Sequence, residues 1–368
     1  MDDPKEWQDD WPAGVGQSST ELKSCIELKS KMMLIHHIVA TISRQHLGRT
    51  CVLVACLSAS SWVAACQVPV FRYALERWEN DNYEVLVIHD GQLNDEDQAR
   101  LKRLQHSAEE LANATVRAVN IAESTDAAAK SIWQQQGNSH SAVMAVLYPQ
   151  GAREVPNRTL HVERLTDRSS ENLFQSPLRT ELAKRLEAGQ SAVWIFVPSG
   201  HNDKDATALQ TLNNHLLRCQ QILTLPTLDE LELVDTVAKE KASQMRVAFS
   251  TLTLDRTDSR EQFFLRMLLA SEDDLADLDE PLAFPVFGRG RVLYALVGNG
   301  INDEMIFGAG QFVVGPCSCQ VKAQNPGFDL LMDKDWEKAV GDVRLSDPLP
   351  DAASEPVLLK IPDGRSPR

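Results

Sequence analysis

Residues 83–148 read YEVLVIHDGQLNDEDQARLKRLQHSAEELANATVRAVNIAESTDAAAKSIWQQQGNSHSAVMAVLY, and this stretch decides the fold. Tyr83–His89 is an apolar run that stops at Asp90-Gly91, a turn signal, so it reads as a buried strand. Asn94 can cap the next segment, and Asp95, Glu96 and Asp97 fall in its first turn, where the helix dipole favours acids. That helix is expected to run to about Leu111. Thr115–Ile121 reads as a second strand, Ala127–Gln136 as a short helix, and Ala142–Tyr148 as a third buried strand closed by Pro149. Strands alternating with helices predict a parallel or mixed sheet with helices on its faces.

Outward from this core, Pro69–Trp78 reads as a helix, with Pro in its first turn and Phe71, Leu75 and Trp78 spaced by four and three. Thr159–Leu165 alternates imperfectly, as an edge strand would. The order helix, strand, helix, strand, helix, strand, strand over about residues 66–166 resembles a thioredoxin-like domain. That family's C-x-x-C motif is absent from the whole chain. Cys66 stands just before the first helix, roughly where a redox cysteine of that family would stand. The resemblance therefore implies the fold and not the redox activity.

A second α/β unit is expected over 167–240, from helix Pro177–Ala188, buried strand Ala192–Pro198 and long helix Asp205–Leu223. SAVMAVLYPQG at 141–151 echoes SAVWIFVPSG at 191–200, either as a tandem repeat or because buried strands look alike. Pro226 and the acidic stretch Asp229–Asp235 read as a connector. A smaller α+β module over 241–341 would hold strand Arg246–Leu254, helix Ser259–Leu269 and a hairpin. The hairpin joins Leu282–Phe287 to Arg291–Gly298 through Gly288-Arg289-Gly290. Helix Asp303–Phe312 follows, weakened by Gly308-Ala309-Gly310. Residues 342–368, with five prolines after Leu345, read as a disordered tail.

Ahead of the body, residues 1–65 read as a leader and signal segment. Arg44 and Arg49 precede the 15-residue apolar run CVLVACLSASSWVAA at 51–65, which ends in small residues. It falls short of the roughly 20 residues of a permanent span. Val63-Ala64-Ala65-Cys66 resembles the lipobox of bacterial lipoproteins, with Val where Leu is usual. That resemblance implies lipidation at Cys66, and ordinary signal cleavage is the alternative. The expected location is the cell envelope, lipid-anchored or periplasmic. The lipid bilayer is the expected partner through an N-terminal anchor, with a membrane protein complex as a further partner. A net charge of −15, from 52 acids and 37 bases, argues against nucleic acid, which needs a basic face.

Seven cysteines do not make a disulfide framework in a chain of 368 residues. Cys317-Ser318-Cys319 is the sharpest local feature. Between Gly315-Pro316 and Lys322 it could be a labile disulfide, a soft-metal pair, a reactive thiolate or a structural pair. Arg289 and Arg291 flank a glycine turn and could grip a carboxylate or phosphate, or be solvated. SEDDLADLDE at 271–280 lacks the glycine and spacing of a Ca²⁺ loop. His89-Asp90 ends a strand, the edge that α/β ligands favour. No nucleophile elbow, zinc motif, phosphate loop or cofactor fingerprint is found, so neither a metal nor a cofactor is expected.

Two strings, CQVPVFRYALERW at 66–78 and FPVFGRGRVLYALVGNGIND with GPCSCQVKAQNPGFDLL within 284–331, resemble an uncharacterised family of exported proteins of planctomycete-type bacteria. The resemblance spans most of 66–340. It implies a signal, an α/β body and a cysteine module, and it implies no activity. The expected function is a non-enzymatic, membrane-anchored interaction or assembly component. The alternative is thiol-redox or soft-metal handling by Cys317 and Cys319.

Overall fold

Four strands organise the chain: β1 (Tyr83–His89), buried at all but Glu84 and His89, and β3 (Val143–Leu147), β5 (Ala192–Val197) and β7 (Leu282–Phe287), buried along their whole length. The computed structural model describes residues 67–346 apart from 110–111, 138–140, 170, 228–230, 232, 234 and 318–320. The leader, the apolar run 51–65, Cys66, Cys319 and the tail beyond 346 lie outside the described residues.

The chain is an α/β protein, with two mixed sheets among the described residues. In the first, β1 is followed by α2 (Asp95–Glu109), β2 (Ala114–Asn120), α3 (Ala127–Gln135), β3, β4 (Thr159–Arg164) and α4 (Pro177–Glu187). The helix before them, Val70–Arg77, is α1. The strand order is β2-β1-β3-β4, with β1 parallel to β2 and antiparallel to β3, and β3 antiparallel to β4. The expected elements stand where the sequence placed them, and the α/β reading holds.

The same connectivity then recurs. β5 is followed by α5 (Asn202–Ile222), α6 (Thr236–Ser243), β6 (Phe249–Thr253), α7 (Gln262–Leu269), β7, β8 (Arg291–Val292) and α8 (Asp303–Val314). β5 is parallel to β6 and antiparallel to β7, and β7 is antiparallel to β8, giving the order β6-β5-β7-β8. The chain is thus a repeat in topology. The echo between 141–151 and 191–200 does not mark it, because β3 is an antiparallel inner strand and β5 is the first strand of its half. By connectivity β5 corresponds to β1, and β7 to β3.

The boundary expected near residue 241 falls inside the second sheet, since β5 pairs with both β6 and β7. Helix α1, expected as part of the first domain, packs mainly on the second sheet instead. Val70, Phe71, Tyr73, Ala74 and Trp78 of α1 and its end pack in the core of the second sheet, and Leu75 in the other core. The hairpin strand expected over Arg291–Gly298 is broken into β8 and β9 (Leu296–Val297), both paired to β7. The cause is Pro285. Its carbonyl accepts from Leu293 N, so its missing N–H faces the same side, and the ladder cannot continue there. Helix α6 follows the connector under an Asp235 cap, and β10 (Phe328–Asp329) and α9 (Trp336–Val340) were not foreseen.

Period-two alternation sends the two sides of each sheet into different cores. Val85, Val87, Met144 and Val146 join Val193, Ile195, Phe284 and Val286 in one core that both halves share. Leu86, Ile88 and Ala145 face α3 instead, and Trp194, Phe196 and Phe287 face α5, α8 and α1. Each such side chain is worth about 1.5–3 kcal/mol when fully buried, so the halves hold together through an apolar layer. Tyr148 Oη donates to Met267 O across this layer at 2.6 Å. Gly308-Ala309-Gly310 does not end α8. A Cβ on Gly310 would lie 3.1 Å from Leu223, so the small residue permits close approach of α8 to the end of α5.

The turn between β7 and β8 makes the packing of α1 testable. Gly288 has φ +58, and a Cβ there would sit 2.7 Å from Ala74 Cβ in α1. Gly91 has φ +71 with nothing within 4 Å. Urea unfolding of Gly288→Ala should show a loss of about 2–4 kcal/mol, against about 1 kcal/mol for Gly91→Ala. Equal losses would mean that α1 does not press on this turn.

Candidate functional site

In both halves, the loop after the first strand lies at the C-terminal strand edge, where α/β proteins place ligands. In the first half it runs Asp90-Gly91-Gln92-Leu93-Asn94, and Asn94 Oδ1 accepts from Asp97 N at 2.7 Å. His89 Nδ1 lies 2.9 Å from Gly91 O, so the ring closes its own turn. In the second half the loop is Pro198-Ser199-Gly200-His201. Asp205 reaches back to accept from Ser199 N at 2.7 Å, Ser199 Oγ at 2.8 Å and Gly200 N at 2.9 Å. Neither loop contains a cysteine. Cys66 is not equivalent to a residue of these loops, because α1 precedes β1 rather than following it.

Cys317 is 1% exposed, among the apolar side chains between α1 and the second sheet. Its N–H donates to Val68 O at 3.0 Å, and Pro316 bridges to Pro69. The segment therefore ties the start of α1 to the end of α8. Cys219 is also buried in that core, and burial pushes its thiol pKa up. A thiolate nucleophile needs an exposed, electropositive setting, which neither side chain has. Among the described residues, no group of three or more His, Cys, Asp or Glu side chains is placed to hold a metal ion. Lys322, expected beside the thiols, instead pairs with Asp81 at 2.9 Å and with Asp329.

Arg289 and Arg291 are turned into the protein, contrary to the anion-gripping reading of the glycine turn. Arg289 Nε donates to Leu75 O at 2.8 Å, and its Nη2 pairs with Glu337 at 2.7 Å. Arg291 Nε donates to Pro326 O at 3.0 Å, Nη1 to Asp329 Oδ1 at 3.0 Å and Nη2 to Asn325 O at 2.8 Å. Its guanidinium also lies 5.8 Å from the Trp78 ring centroid. The two arginines staple α1, β8 and residues 325–337 together. Guanidinium forks suit this task as well as they suit ligand carboxylates, and local sequence does not distinguish the two.

Sequence reasoning missed a different arginine. Arg179, in the first turn of α4, is 2% exposed. Its Nε donates to Ser176 Oγ at 3.1 Å, its Nη1 to Leu173 O at 2.9 Å and Leu331 O at 2.8 Å, and its Nη2 to Asn172 O. Asn172 takes φ +56, which Asn tolerates better than most residues, and so presents its carbonyl. All four acceptors are neutral. Burial pushes the Arg179 pKa down to about 10, opposed by the charges of Glu261 and Asp333 acting through space. Arg179 forms part of the wall of a cavity of about 230 Å³. Phe174, Ala183 and Met332 line it with apolar surface, and Lys184 and Lys334 add cationic groups.

No family model matches the chain, and no curated protein does. Among solved structures, the bb fragment of ERp72 aligns with 64% of this chain and 91% of its own at 12% identity, with a TM-score of 0.21. A likeness of that size carries no argument about activity. Among the described residues, no helix is long and apolar enough to cross a membrane.

Two outcomes follow. Arg291→Met should lower the unfolding free energy by about 3 kcal/mol in urea, since it leaves buried acceptors unpaired. A solvated arginine would cost less than about 0.5 kcal/mol. Mass spectrometry after alkylation of the folded protein should find Cys219 and Cys317 protected, with modification appearing only as the chain unfolds. Rapid labelling of Cys317 under native conditions would revive the thiol-chemistry reading.

Proposed function

We propose that the chain is an exported, non-enzymatic interaction or assembly component, held at a membrane through lipid on Cys66 and built from two thioredoxin-like halves. The observation that carries this reading is how soon after Cys66 the described hydrogen bonding begins. It is in place from Val68, whose carbonyl accepts from Cys317 N at 3.0 Å, and Val70 N donates to Gly315 O at 2.9 Å. Processing before Cys66 would therefore remove none of the described elements. Only Gln67 separates Cys66 from that bonded segment. An anchor at Cys66 would hold the body directly against the lipid surface rather than on a long tether.

The two halves repeat one connectivity, and two features of them favour a binding role over redox catalysis. The thioredoxin-like strand order β2-β1-β3-β4 recurs as β6-β5-β7-β8. The loops after β1 and β5 lack cysteine, and Cys317 is buried. Several acyl chains on one terminus anchor stably, whereas a single chain binds only marginally. Charge steering to anionic lipid is not needed for such an anchor, which suits a chain of net charge −15.

The test is fractionation of cells expressing the full chain or Cys66→Ala, combined with an insulin-reduction assay. The unaltered protein should sediment with membranes, Cys66→Ala should move to the soluble fraction, and neither should reduce insulin above background. Equal fractionation of the two proteins would remove the anchor. Reductase activity abolished by Cys317→Ser would replace the binding role with thiol chemistry.

A further inference from the structure

We propose that the cavity beside Arg179 is a binding site for a small organic carboxylate. The starting point is a charge without a matching charge in contact. Arg179 is 2% exposed, and its hydrogen bonds go to three carbonyls and one hydroxyl. Taking a cation out of water is costly, and neutral acceptors offset only part of that cost. A guanidinium has five N–H donors, so four bonds leave one on Nη2 for a ligand. Two of the carbonyls come from the adjacent residues 172 and 173 and the third from residue 331, distant in sequence, and together they hold the fork.

The surroundings define the class of ligand. Phe174, Ala183 and Met332 present apolar surface, which suits the body of the ligand. Lys184 lines the same cavity and is exposed, with only a 4.0 Å contact to Glu181. Lys334 bonds Glu187 at 2.6 Å, so that acid is already neutralised. Asp333 also lines the cavity, leaving three cations against two acids there in a chain of net charge −15. A volume of about 230 Å³ exceeds the roughly 150 Å³ that admits benzene and falls below the roughly 300 Å³ of drug-sized pockets. A compact carboxylate about the size of benzoate fits these limits. A phosphate would find no apolar contact to make with most of this wall.

The experiment is calorimetric titration of the full chain with benzoate, with benzamide as the neutral isostere. Benzoate should bind with a Kd of about 1 mM or tighter and benzamide at least about tenfold more weakly, because only the former brings a negative charge to pair with the guanidinium. Thr180 is exposed on α4 at the cavity wall, so Thr180→Trp should fill the opening and abolish benzoate binding with the melting temperature unchanged. Lys184→Glu should weaken benzoate by about three- to tenfold and leave benzamide unaffected. The proposal is overturned if benzoate fails to bind at about 10 mM, if it binds no better than benzamide, or if both variants bind it as the parent does.

Discussion

The two-sided burial of β1, β3, β5 and β7 is the constraint on which the rest of the structure depends. A strand with no exposed face needs cover above and below. In the first half α3 covers one side, and the shared apolar layer covers the other. In the second half α5, α8 and α1 cover the side that the shared layer does not. The two sheets therefore use one another as cover, and neither half has a complete core alone. This explains why α1, the first of the described helices, packs with α9, the last of them, and why residues 328–346 run back over the junction.

Charged groups are placed inside this frame as fasteners. Glu76 of α1 is fully buried and accepts from Arg72 Nε at 2.7 Å, Leu345 N at 2.8 Å and Ser346 N at 2.9 Å. Asp329 gathers Arg291, Lys322 and the Asp81 N–H, the last at 2.8 Å. Each of these carboxylates meets a cation in contact, as buried charges require. Arg179 departs from this pattern because its partners are neutral. That contrast within one molecule distinguishes a site from a fastener more clearly than exposure or residue type could.

The strands that decide the fold were legible because a continuous apolar run bounded by turn residues has few other readings. Short elements were not. Helix α6 buries only Ala238 and Ala242, too thin a stripe to stand out, and β10 has two residues. The break between β8 and β9 followed from the side that Pro285 faces, which pairing alone reveals. The repeat was hidden because it lies in connectivity and not in residues. SAVMAVLY and SAVWIFV look alike because both are buried, although they hold different places in their sheets. The glycine turn at 288–290 is legible in the sequence, and the direction of its arginines is not. The Arg179 cage is local on one side, from residues 172–176, and is closed by Leu331 O from a distant segment, which no local pattern announces.

The described residues are tied down near both their limits, at Val68 through Cys317 and at Ser346 through Glu76. The proposed role depends on what stands immediately before the first of these ties. The most direct measurement is the intact mass and N-terminal residue of the mature protein purified from the envelope of the cell that makes it. A chain that starts at Cys66, with added mass equal to a diacylglyceryl group and an N-acyl chain, is the expected result. A chain that starts upstream of the apolar run, or at an unmodified Cys66, would contradict the anchored role.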